Sequence, residues 1–187
     1  MPILGITASS ILKVTLSPSY ESIATVTGNG SATSLTFSSI SGTYKHLQIR
    51  FIGRSLRNGV SDNLNIQFNG DSGSNYATHH LYSDGTSAGA GGAANATSID
   101  ASNAVRASGS SNTLVYGAGI IDIHDYASTT INKTVRIISG FDFNGSGRIA
   151  LSSGFRNSTS AVTSITLQSD GNAFATGSTF ALYGIKG

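Results

Sequence analysis

The chain of 187 residues has no cysteine, no tryptophan, one methionine and two prolines. Without cysteine there is neither a disulfide framework nor a thiolate to serve as nucleophile or metal ligand, a pattern that suits folding in a reducing compartment. Acidic side chains are also scarce, with one glutamate, Glu21, and eight aspartates. That shortage weakens any mechanism needing a placed pair of carboxylates, as glycosidases do. Only 11% of the residues are charged, and the net charge of +2 reflects few acids more than many bases. Lys13, Lys45, Lys133 and Lys186 are scattered. No basic run tracks a phosphate backbone, so nucleic acid is not an expected partner. The opening MPILGITASSILKVTL is mildly apolar, but it lacks a basic start, carries Pro2 and Gly5, and is shorter than a membrane span. Neither a signal peptide nor a transmembrane helix is expected, and no membrane partner.

What is abundant is Ser, Thr, Asn and Gly, which solvate a surface without charging it. The length suits one domain, able to bury roughly 70% of the surface its unfolded chain exposes. Strict alternation is the dominant pattern. Leu47, Ile49 and Phe51 share one face of YKHLQIRF, and Leu64, Ile66 and Phe68 share one face of NLNIQF. The same period organises Val135, Ile137, Ser139 and Phe141; then Ile149, Leu151 and Phe155; then Val162, Ile165 and Leu167 with a slip; and finally Phe180 and Leu182. Each set reads as the buried face of a half-buried strand. Turn signals separate them at 28–31, 57–63, 69–75, 144–147 and 169–172, where Gly and Asn supply positive φ. Strands are expected near 20–27, 33–38, 44–54, 63–69, 76–82, 113–124, 133–143, 148–155, 162–168 and 178–186. No window carries a helical stripe. The fold class is therefore all-β, an antiparallel two-sheet sandwich of the jelly-roll kind spanning 19–187.

Two segments break the pattern. Residues 83–112, rich in Gly, Ala and Ser, read as a long surface loop with one short strand around Ser98 to Ala101, or as a loop ordered by a neighbouring subunit. Residues 1–18 read as an N-terminal arm or an added strand.

Chemistry-bearing residues are few. In NYATHHLYSD, His79 and His80 point to opposite faces if the segment is a strand, so they cannot chelate one metal together. A metal would need His46 or His124 and a distant carboxylate, with no spacing to support it. Asp122 and His124 in DIHDY share a strand face and offer an orienting acid and a base, but no GxSxG elbow supplies a nucleophile. DSGSN at 71–75 and DFNGSG at 142–147 open like calcium loops and then fail, with Tyr82 and Ser153 where a bidentate glutamate is required. No catalytic, metal or cofactor residue is expected. Tyr76, Tyr82, Tyr116, Tyr126, Arg54, Arg57, Arg106 and Arg156 are expected at the surface, where aromatics and arginine favour contacts. The residues singled out for interaction are His79, His80, Tyr82, Arg54, Arg57 and Tyr126.

The strings YESIATVTGNGSATSLTFSSISGTYKHLQIRF, IQFNGDSGSNYATHHLYSDG and STFALYGIKG resemble a family of small virion structural proteins of tailed bacteriophages, over about Tyr20 to Gly187. The MPILGITAS opening is similar to N-termini of such proteins. The resemblance implies a non-enzymatic particle component, either a tail or fibre protein or a capsid decoration protein, made in the bacterial cytoplasm and assembled onto the virion. It also implies other virion proteins as partners and a homotrimer, the trimer motivated by the small-residue loop and the N-terminal segment. The alternative is a carbohydrate-binding β-sandwich module in which Tyr82 and His80 contact a host-surface glycan.

Overall fold

The structure is a computed structural model that describes residues 19–107 and 114–187. The chain is all-β, with no helix among these residues. In chain order the strands are β1 (Tyr20–Thr27), β2 (Ser34–Phe37), β3 (His46–Ser55), β4 (Ser61–Phe68), β5 (Tyr76–Ser83) and β6 (Ala88–Ala96). They continue as β7 (Ile99–Ala107), β8 (Gly117–His124), β9 (Lys133–Asp142), β10 (Gly147–Arg156), β11 (Ile165–Ser169) and β12 (Thr179–Ile185). All ten strands expected from alternation are present, with ends shifted by three residues at most except at β8, which starts at Gly117.

Ten strands follow the order β2-β11-β4-β7-β3-β8-β9-β10-β5-β6, and β12, carrying β1 on its far side, also pairs with β3. Every pairing between strands is antiparallel except a short parallel one joining Arg54 and Ser55 of β3 to Arg106 and Ala107 of β7. The sheet is therefore mixed, and it does not close: β2 and β6 end it. β3 serves two groups of strands. Its residues from His46 to Gly53 pair with β8 and β12, and only its last two residues reach β7.

The core is one cluster of buried residues contributed by β2, β3, β4, β5, β7, β8, β9, β11 and β12. Leu47, Ile49, Leu64, Ile66, Ile99, Ile121, Val135, Ile165, Leu167 and Leu182 are sealed from solvent. Phe180 stacks on Phe51 at 5.5 Å between ring centres and meets Phe174 edge-on at 5.2 Å. Close approach needs small residues: a Cβ built on Gly154 of β10 would lie 2.3 Å from Ile99 of β7.

Three expectations are corrected. The 83–112 loop is two strands over most of its length; β6 and β7 occupy 88–96 and 99–107, and its last residues, like the segment 1–18, lie outside the described residues. The short strand expected around Ser98 to Ala101 is the start of β7. Alternation was hidden there because Ala and Ser serve as core residues in β7, because β6 has no buried residue, and because each strand carries a bulge with an asparagine at positive φ, Asn95 at 55° and Asn103 at 56°. Asn tolerates that conformation better than most side chains. Asn63 fastens the second bulge by accepting the Asn103 N–H at 2.9 Å.

Second, β10 is inverted. Ile149, Leu151 and Phe155 face solvent, while Ala150, Ser152, Gly154 and Arg156 face inward. The inner face of β10 has room only for small residues under β7, and Arg156 is held there by Asp71, whose carboxylate accepts its Nε and Nη2 at 3.1 Å. Third, Tyr76, Tyr126, Arg106 and Arg156 are buried instead of exposed. The Tyr126 hydroxyl donates to the Ser41 carbonyl and accepts the Tyr44 N–H at 3.3 Å, pinning the 41–44 segment. Arg106 donates to the Gly59, Val60 and Ala107 carbonyls and lies 4.3 Å from the centre of the Phe143 ring.

Candidate interaction surface

The antiparallel run β8-β9-β10-β5 has one face against the core and one in solvent, and β6 extends it at the edge. On the solvent face the pairing register sets residues in rows across the strands. One row reads Ile120, Ile138, Leu151, Leu81 and Ala90, each directly opposite the next. A parallel row reads Ala118, Gly140, Ile149, Ser83 and Ala88. Four of the large side chains are about half exposed: Leu81 at 54%, Ile138 at 52%, Ile149 at 61% and Leu151 at 49%. Scattered exposed apolar residues are ordinary, but a contiguous patch across four strands of a chain with so polar a composition marks a contact surface. Leu81, Ile138, Ile149 and Leu151 line a shallow hollow of about 250 Å³, continuous through Ile138 and Ile149 with a second one lined by Arg50, Ala118 and Ile120.

A polar row borders the patch: Tyr183, Gln48, Asp122, Arg136, Ser153 and His79. Here the Asp122 carboxylate accepts from Gln48 Nε2 at 2.7 Å and from Arg136 Nη2 at 2.9 Å. Burial pushes its carboxyl up, but these two donors outweigh it and hold the group below its ordinary range. Asp122 is thus committed to its neighbours, and His124 instead packs edge-on to His46 at 5.2 Å. The acid–base arrangement considered for Asp122 and His124 is not assembled. At the other border, the Asp84 carboxylate gathers the Thr86 and Ser87 N–H groups and pairs with Arg148 at 3.0 Å. Those donors hold its carboxyl far below the usual range.

The other sequence-selected residues are dispersed. His79 and His80 lie on opposite faces of β5, as alternation requires: His79 is exposed beside the patch, and His80 is half-buried with Nδ1 enclosed and without a hydrogen-bond partner. Tyr82 shares the His80 face, 6.0 Å away between ring centres, and its ring lies 5.6 Å from the Arg148 guanidinium. Arg54 lies over the Tyr116 ring at 5.0 Å, and Arg57 pairs with the buried Asp62 at 3.4 Å, both at the junction of β3, β4 and β7. Only His80 and Tyr82 are brought together. The loop resembling a calcium site at 71–75 is a structural turn, its Asp71 carboxylate taken by Arg156, the Gly73 N–H and Asn75. No group of three or more metal-ligating side chains forms among the described residues.

Sequence reasoning missed Leu81, Ile138, Ile149 and Leu151 as surface residues. A signal was present: both alternate sets of β10 are plausible faces, and the glycine at 154 and the arginine at 156 belong to the same set. Comparison with protein-family models, with curated proteins and with solved structures finds no match to this chain.

Proposed function

We propose that the chain is a non-enzymatic structural protein of a tailed-bacteriophage particle, displayed on its outside as a tail or fibre component or as a capsid decoration protein. The observation carrying this reading is the apolar solvent face of β8-β9-β10-β5, on a chain of which only 11% of the residues are charged. Such a face favours lasting contact with other protein subunits over transient chemistry. The resemblance of residues 20–187 to small virion proteins supplies the setting. In this reading the strands form two layers of a jelly-roll-like sandwich, with β2, β11, β4 and β7 covering the inner side of the longer run. The sandwich then acts as a rigid platform, made in the host cytoplasm and incorporated into the virion. The test is immunogold labelling of purified virions from the strain encoding the chain, using antibody to the recombinant protein. Labelled particles are expected; virions free of the protein would reject the reading.

A second reading has its own observation: His80, Tyr82 and Arg148 share one lip of the sheet, a combination suited to stacking on and hydrogen-bonding a host-surface glycan. It requires saturable glycan binding that Tyr82→Ala or His80→Ala abolishes.

A further inference from the structure

The apolar row ends at β6, and β6 ends the sheet. Its outer edge has no partner among the described residues. Proteins guard such edges with lysine, proline, bulges or short strands. The other ends of the sheet follow that rule: β2 has four residues, and β1 carries a bulge between Ser22 and Ala24. β6 does not. From Ala88 to Ala93 it pairs regularly with β5, has no charge and no proline, and is exposed at all but one position; its bulge lies beyond, at Asn95. Along these six residues every second one presents its backbone donor and acceptor outward, with nothing larger than a methyl group to block approach.

We propose that β6 is the self-association edge of this protein, pairing antiparallel with β6 of a second copy about a two-fold axis at Ala90. This rests on the reading of the chain as an assembling structural protein and names its partner. A two-fold axis perpendicular to the sheet keeps solvent face on solvent face, so only residues of like orientation come opposite one another. Centred on Ala90, Ala88 lies opposite the second copy's Gly92, Gly89 opposite its Gly91, and Ala90 opposite its own equivalent. Every pair is small against small, with no like charges opposed. This register also aligns the apolar rows: Ile120, Ile138, Leu151, Leu81 and Ala90 continue into the same residues of the second copy in reverse order. At about 4.8 Å per strand the joined row spans ten strands, roughly 43 Å. A half-patch on one chain becomes one strip across the pair, while the backbone pairing supplies the affinity, as in strand addition generally.

The test uses the full chain, whose lack of cysteine makes a single introduced thiol unambiguous. At the dyad, opposed Cβ atoms lie about 5 Å apart, within a small adjustment of a disulfide. The Ala90→Cys variant is expected to form a covalent dimer on mild oxidation, and Ala24→Cys on the opposite edge none. The unaltered protein should have a native mass twice 19.1 kDa. Ala90→Lys should halve that mass and leave a folded monomer whose melting temperature no longer depends on concentration, because the position is exposed in the single chain. A monomer at about 50 µM, near the middle of the micromolar affinity range, overturns the proposal. So does an oligomer, trimer included, that survives Ala90→Lys and gives no Ala90→Cys bridge; that outcome leaves assembly, and hence the structural role, standing. Particle labelling reports on the virion role independently.

Discussion

β6 and β7 come from one stretch of Ala, Gly, Ser and Asn, two residues apart in the chain, and they meet opposite fates. All of β6 is exposed or half-exposed at an unguarded edge, whereas β7 is buried over nearly its whole length between β4, the end of β3 and the inner face of β10. Composition alone does not decide burial. Three bulkier residues, Ile99, Val105 and Arg106, anchor β7, and the small ones between them let a second strand pass close. In β6 the same small residues have nothing to fill, and they leave the backbone open to a partner.

The largest expected effects fall on β7. Ile99→Ala should cost about 2–5 kcal/mol in urea denaturation, the range for emptying a sealed aliphatic site. Gly154→Ala forces Ile99 to move, and combined with Ile99→Val it should cost less than the two changes summed; simple additivity would show that the contact does not couple β7 to β10.

A contrast within β10 comes next. Ala150→Asp places a carboxylate in the core and should unfold the protein or cost several kcal/mol, about 3–5 for an unpaired buried charge. Leu151→Asp, one residue on, should change stability by about 0.5 kcal/mol or less in the same urea denaturation. Equal losses of stability would mean that the solvent face of β10 is not free.

Smaller still is an effect of pH on β7. Burial pushes the Asp100 carboxyl up to about 6, with the charge of Asp170 adding to this and His80 opposing it. A folded-state value above the unfolded value means the folded chain holds the proton more tightly, so stability falls as pH rises from about 4 to 6 and the deficit persists above. Asp100→Asn should remove it, raising stability by about 1 kcal/mol at pH 7 after allowance for partial exposure, and by nothing near pH 3.5. A gain independent of pH would assign the effect to packing. At the bottom of the scale, Ala93→Ser on β6 should lie within about 0.5 kcal/mol of the parent in thermal melts.

The strands legible in the sequence were those where bulky and polar residues alternate, because burial of one face selects that pattern directly. β3, β4, β9 and β12 show it plainly. β7 was legible only at its start, around Ser98 to Ala101, because close packing replaced bulk by alanine and serine, and β10 was read on the wrong face because its apolar set is exposed. The exposed apolar patch was legible only as that conflict: Ile149 and Leu151 look like core residues, yet Arg156 and Gly154 fix the opposite side inward. Places where local pattern and global fold disagree are where function is to be sought. Tyr126 shows the converse, a surface-type residue drawn inside by the backbone groups its hydroxyl satisfies.

The pairing of β1 with β12 has a mechanical consequence. Tyr20 lies opposite Ile185, and the Lys186 N–H donates to the Ser19 carbonyl at 3.0 Å, so the two ends of the described fold leave the sheet side by side. Tension applied between them would act on one rung at a time, from Tyr20 and Ile185 inward, and would peel β1 away as a zipper opens. Tension applied along β1 and β12 in opposite senses would have to shear all their rungs together. A particle that pulled on this domain through both ends would open it easily, whereas one that gripped it by a single end and by the β6 edge would load the whole width of the sheet.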